Sequence, residues 1–136
     1  MSSNSAKIWI CAVALILQAG LSAQAQSNVR SQDYLRDVIS LSEVLGKAHA
    51  VRTICNGRND QYWRDYMQRL MDIEAPYRGG LRDSMVNGFN AGFSVGTARH
   101  RVCDTETVTA EKTYANEGRI LTSRLATENM PSTARR

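Results

Sequence analysis

The chain has 136 residues, 43% of them hydrophobic and 22% charged, with 17 Lys or Arg against 13 Asp or Glu for a net charge of +4. That is one domain's worth of chain with enough apolar residues for a modest core. The charge is too mild, and too evenly mixed with acids, to fit a nucleic-acid binder, which shows a basic stripe with interleaved aromatics.

The first residues, MSSNSAKIWICAVALILQAGLSAQAQ, join a polar start with Lys7 to an apolar run from Ile8 to Leu17. A small-residue end follows in which Ala23-Gln24-Ala25 fits an A-x-A cleavage site. This pattern predicts a signal peptide over residues 1–25 and a periplasmic location. The run is shorter than the roughly 18 to 20 residues of a permanent span, and no later segment is longer, so no transmembrane segment is expected in the mature chain. Cys11 lies within the run, lacks the small residues that precede a lipid-modified cysteine, and is expected to leave with the leader. Cleavage after Ala25 leaves 111 residues, with 16 basic and 13 acidic side chains.

Two cysteines then remain, Cys55 and Cys103, an even number in a compartment that permits disulfides, so their pairing is the first expectation. On the chain-entropy model a loop of this length contributes about 4 kcal/mol, comparable to the net stability of a small domain.

Residues 26–32 are polar and read as a flexible segment. Asp33 is placed to cap a helix over 34–54, on which Leu35, Val38, Leu41, Leu45 and Ala48 mark one buried face. Glu43 and Lys47 form a surface pair in the favourable i,i+4 order. His49 borders the apolar face, where a partly buried, hydrogen-bonded ring is the ordinary expectation. Asn56-Gly57-Arg58-Asn59 reads as a turn, with Gly57 free to end the first helix. Asn59 or Asp60 then caps a second helix to about Ala75, stopped by Pro76. Its inner face is Trp63, Met67, Leu70 and Met71, flanked by Tyr66 and Ile73, and Asp60–Arg64 and Asp65–Arg69 read as solvated pairs.

From Leu81 to about Arg101 a third helix carries Leu81, Met85, Phe89 and Phe93 at steps of four, with Gly88, Gly92 and Gly96 on an adjacent stripe. Each glycine costs a helix about 1 kcal/mol relative to alanine. The stripe therefore predicts close approach of another backbone, from the first or the fourth helix, with a ligand groove as the functional alternative. Asp104 or Thr105 caps a fourth helix with Val108, Ala115, Gly118, Leu121 and Leu125 inward. Residues 127–136 read as a disordered tail. The expected fold is all-α: a small four-helix domain over 33–126 with one disulfide.

Two histidines and two cysteines match a tetrahedral zinc count, but the intervals His49–Cys55 and His100–Cys103 do not match zinc-module spacing, and no metal or other cofactor is expected. No C-x-x-C pair supports thiol exchange. Glu74, at an apolar helix end, is the one carboxylate suited to acid catalysis; pairing with Arg78 is its structural alternative, and no second carboxylate stands with it, so no catalytic residue is assigned. Tyr62, Trp63, Tyr66 and Tyr77 with Arg64 and Arg69 have the composition of interface hot spots, and Tyr62, Arg58 and Arg78 lie in or beside turns. Arg58, Tyr62, Arg64, Tyr77 and Arg78 are the expected partner-binding residues, with Trp63 assigned to the core.

The run LSEVLGKAHAVRTIC, then YWRDYMQRLMDIEAP, then NGFNAGF and a later cysteine, resembles a family of small exported alphaproteobacterial proteins classed as a domain of unknown function. The resemblance covers about Leu41 to Leu125. Its residues are Leu45, Gly46, His49, Arg52, Cys55, Trp63, Arg64, Met67, Glu74, Pro76, Phe89, Asn90 and Cys103; Val51 departs from a leucine common in the family. It implies an envelope protein and supplies no activity or catalytic residue.

The expected function is a periplasmic, non-catalytic interaction module in cell-envelope assembly or maintenance, with an envelope protein or periplasmic polymer as partner and no nucleic acid. The alternatives are an envelope-polymer hydrolase using Glu74 and a small acid-stress chaperone.

Overall fold

The first helix is the axis of the domain. A computed structural model describes residues 30–129, and within them α1 spans Gln32–Asn56, α2 Tyr62–Glu74, α3 Gly80–Arg99 and α4 Thr105–Glu128. All three later helices pack on α1, whereas no Cα of α4 comes within 8 Å of α2 or α3. The expected signal peptide, most of the segment at 26–32, and residues 130–136 lie outside the described residues. Among the described residues the fold is all-α, and no helix is long and apolar enough to cross a membrane.

The core is the α1 stripe of Tyr34, Val38, Leu41, Val44 and Leu45, closed by Met67 of α2, Met85 of α3 and Leu121 and Leu125 of α4. Because α1 is covered on several sides, its buried residues run almost without a break from Leu41 to Val51, with only Glu43 and Lys47 partly open. Those two form the expected pair at 2.7 Å.

The glycine stripe of α3 lies against α1. A β-carbon at Gly92 would stand 1.9 Å from the Glu43 carbonyl oxygen, and one at Gly96 2.6 Å from the Ala50 β-carbon. The crossing partner is thus the first helix, and α1 supplies its own small residue, Gly46, whose added β-carbon would lie 2.0 Å from the Phe89 carbonyl oxygen. The stripe is filled by backbone, which leaves no groove along Gly92 and Gly96 for a ligand.

Several boundaries differ from expectation for local reasons. Ser31, not Asp33, caps α1, its Oγ accepting from the Tyr34 N–H at 2.9 Å, while Asp33 sits in the first turn and pairs with Arg36. Gln61 holds the cap position of α2 without a side-chain capping bond, its amide donating back to the Arg58 carbonyl at 2.9 Å, and Asp60 accepts from the Tyr62 N–H at 3.2 Å. The third helix stops at Arg99, because His100 turns extended. Asp104 caps α4 as expected, accepting from the Thr107 N–H at 2.8 Å. That cap turns Thr107 inward, where its Oγ also donates to the Val102 carbonyl at 2.8 Å, and leaves the expected core residue Val108 exposed. Ile73 is likewise 71% exposed. The fourth helix continues through Thr127 to Glu128, past the expected start of the tail.

Cys55 and Cys103 are joined in a disulfide, with Cα atoms 4.8 Å apart. It ties the last turn of α1 to the corner before α4, beside Gly57, which ends α1 at φ 91°.

Candidate functional site: two grooves flanking α2

Because the backbone of α4 stands off from that of α2, a groove of about 380 Å³ opens between them over α1. Its floor is Leu41, Val44, Leu45 and Ala48, and its walls are Tyr62, Trp63 and Tyr66 on one side and Tyr114 on the other. The rings of the aromatic wall pack on one another: Tyr62 stands edge-on to Trp63 at 4.9 Å, and Trp63 to Tyr66 at 6.1 Å.

A polar network fixes this wall from the disulfide end. Arg52 donates from Nε to Asp60 at 2.8 Å and from Nη1 to Glu111 at 3.0 Å, and its guanidinium lies 4.8 Å above the Tyr62 ring. The Trp63 indole N–H donates to the same Glu111 oxygen at 3.1 Å. Asn56 donates to the other Asp60 oxygen at 2.8 Å. With the Arg52 bond first and the Asn56 bond second, the Asp60 carboxyl is held down to about 2. One arginine of α1 thereby positions α2 and α4 on either side of the groove.

A second groove of about 370 Å³ lies on the opposite side of α2, against α3. Its lining includes His49, Arg64, Met67, Phe89, Asn90 and Phe93. His49 is only 6% exposed, with its ring 5.7 Å from that of Phe89 and 5.5 Å from that of Phe93. Contrary to expectation it is not hydrogen-bonded through Nδ1, which is sealed without a partner. Burial, with the Arg64 cation acting in the same direction, pushes its pKa below the ordinary histidine value.

The expected partner-binding residues do not form one patch. Arg58 and Tyr62 stand at the disulfide end and Tyr62 is 54% exposed. Arg64 turns to the second groove. Tyr77, 84% exposed, and Arg78 lie beyond the other end of α2, whose 13 residues span about 20 Å. Trp63 is half-buried as wall rather than core. The expected pairs Asp60–Arg64 and Asp65–Arg69 are not formed: Asp60 is taken by Arg52, and Arg69 stacks on Tyr66.

Glu74 pairs with Arg30 at 2.9 Å, not with Arg78, and accepts from the Tyr34 hydroxyl at 3.0 Å. Asn129 donates to that hydroxyl at 3.0 Å. Burial first, and the neighbouring Glu74 charge, raise the Tyr34 pKa against the lowering effect of Asn129. This cluster ties together the start of α1 and the ends of α2 and α4. His100 is buried too, with Nδ1 3.4 Å from the Thr107 hydroxyl and Nε2 sealed without a partner. Among the described residues, no three His, Cys, Asp or Glu side chains gather as a metal site.

Sequence reasoning missed Glu111, Arg30 and Gly46 as organising residues. Glu111 meets Arg52 and Trp63 across 59 and 48 residues, a separation that no local spacing reveals.

A family model described as "Protein of unknown function (DUF2385)" matches residues 33–128, from the first turn of α1 to the last residue of α4. The chain belongs to this family. The matched range takes in both grooves and the disulfide. Searches of curated proteins and of solved structures find no match.

Proposed function

We propose that this DUF2385 domain is a non-catalytic interaction module, exported to the periplasm, that serves cell-envelope assembly or maintenance. In this reading it holds an apolar segment of an envelope protein in the groove between α2 and α4. The observation that carries it is the open α2–α4 seam, walled by Tyr62, Trp63, Tyr66 and Tyr114 and braced by Arg52 and Glu111. Rigid aromatic side chains in a preformed apolar cleft supply contact area with little ordering cost, which is how interface hot spots work. Export is supported by the leader-like pattern of residues 1–25 and by the disulfide, which suits an oxidising compartment.

The hydrolase alternative draws no support from the site. The Glu74 carboxylate is occupied by Arg30 and Tyr34 and is 9% exposed, so it has no open path to a polymer strand.

The test is affinity capture from periplasmic extract with the native domain and with a Tyr62→Ser/Tyr114→Ser double variant. A partner retained by the native domain and lost by the folded variant supports the proposal. Identical partner sets, or none, count against it.

A further inference from the structure

The groove between α2 and α3 differs in chemistry from the aromatic seam. Its walls are Phe89, Phe93 and Met67, but it also holds His49, Arg64 and Asn90. Arg64 makes no ion pair or hydrogen bond among the described residues, because Arg52 takes the Asp60 carboxylate that stands four residues before it. A cation is thus left over at the edge of an apolar cleft.

His49 adds the second recognition group. Its desolvated ring is neutral at neutral pH, so it carries one N–H. A sealed donor without a partner is rarer and costlier than a sealed acceptor, which assigns the proton to Nε2 and leaves Nδ1 as the unpaired acceptor among the phenylalanines. The Nε2–H is then the one donor of a ring that lines the groove. The Asn90 side-chain amide adds a further N–H group.

Donors and a cation, interleaved with aromatic and thioether surface from the same helices, complement an anion with an apolar body. A charge-assisted contact to guanidinium is strong where water is partly excluded, and methionine lets the wall adapt to the body's shape. A volume of about 370 Å³ lies within the range of small-molecule clefts.

We propose that the α2–α3 groove is a binding site for a small amphipathic carboxylate, its carboxylate held by Arg64 and the His49 Nε2–H and its apolar body packed on Phe89, Phe93 and Met67. This site is separate from the α2–α4 seam and stands or falls independently of it.

The test uses octanoate and its neutral analogue 1-octanol as probes, titrated into the purified disulfide-bonded protein and followed by NMR of the His49 imidazole and the Phe89 and Phe93 rings. Octanoate is expected to shift these signals saturably at millimolar concentration or below, without shifting Tyr114, and to bind roughly tenfold tighter than 1-octanol. Arg64→Gln, at an exposed position, should weaken octanoate roughly tenfold, and Arg64→Lys should restore part of the affinity. Absence of a saturable His49 shift, equal binding of the alcohol, or unchanged affinity in Arg64→Gln would overturn the assignment.

Discussion

Gly46 of α1 and Gly92 of α3 are reciprocal contacts of one helix crossing, each occupying the place where a side chain would strike the other helix's backbone. A β-carbon would meet a carbonyl oxygen at 2.0 Å in the first case and 1.9 Å in the second. The backbones can relieve such a clash only by separating, at the expense of the close packing of α3 on α1.

Gly46→Ala and Gly92→Ala should therefore each destabilise the domain by about 2 kcal/mol or more, because overpacking outweighs the roughly 1 kcal/mol gained in helix propensity. Gly118 is the control. Its added β-carbon would meet nothing closer than the Leu41 side chain at 3.5 Å, so Gly118→Ala should be neutral or stabilising by up to about 1 kcal/mol. Urea unfolding of the three variants separates the cases; equal effects would dissolve the crossing as described.

Removing the clasp should be costly. Cys55 and Cys103 are 48 residues apart, and the Cys55→Ala/Cys103→Ala variant is expected to lose about 4 kcal/mol on the chain-entropy model. Hydrogen exchange should rise first in the last turn of α1 and the first turn of α4. A loss well under 1 kcal/mol would mean that the reduced chain already holds these ends together.

Acid should act through Asp60. Its folded-state pKa is about 2 against an ordinary 3.8, so its contribution to stability is complete above pH 3.8 and is lost as pH falls towards 2. Asp60→Asn should lower stability at neutral pH by about 1 kcal/mol after solvent screening, and should flatten this part of the acid profile. Urea midpoints measured across that window check both points, and an unchanged acid slope in the variant would contradict the Arg52–Asp60 account.

His49 contributes with the same sign at higher pH. Its folded-state pKa lies below the ordinary 6.5, so as pH falls below 6.5 the unfolded chain takes up a proton that the folded chain refuses, and stability declines. The imidazole should titrate below 6.5 by NMR, and His49→Phe should remove its share of the decline. A midpoint at or above 6.5 would contradict burial between Phe89 and Phe93.

The helical architecture was readable because periodicity is local. Leu41, Leu45, Met67, Leu121 and Leu125 all turn inward as spaced, and the step of four in Gly88, Gly92 and Gly96 announced a crossing. Which helix crosses was not readable, because Gly46 stands alone in LGKAHA and forms no period with another glycine. Val108 was misplaced by one residue, since the Asp104 cap and the Thr107–Val102 bond set the rotation of α4. Ser31 and Asp33 are both good caps on paper, and only the fold shows which side chain reaches an N–H. The site was the least legible part. Both grooves depend on where α2 lies over α1, and that is set by Arg52, Asp60 and Glu111, whose meeting joins three helices. The pair Asp60–Arg64 is absent for the same reason, since a distant arginine outcompetes the i,i+4 neighbour for Asp60. Asp65–Arg69 gives way instead to a local contact, Arg69 on the Tyr66 ring.

The central claim, that the α2–α4 seam is the working face of the domain, is most directly tested by photo-crosslinking in cells with mass spectrometry. A photoreactive residue replaces Tyr114 in the seam or, as control, Val95 on the exposed side of α3. The account predicts a specific envelope-protein adduct from position 114 that position 95 does not give. The same adducts from both positions, or none from 114 in a folded, exported protein, would contradict it.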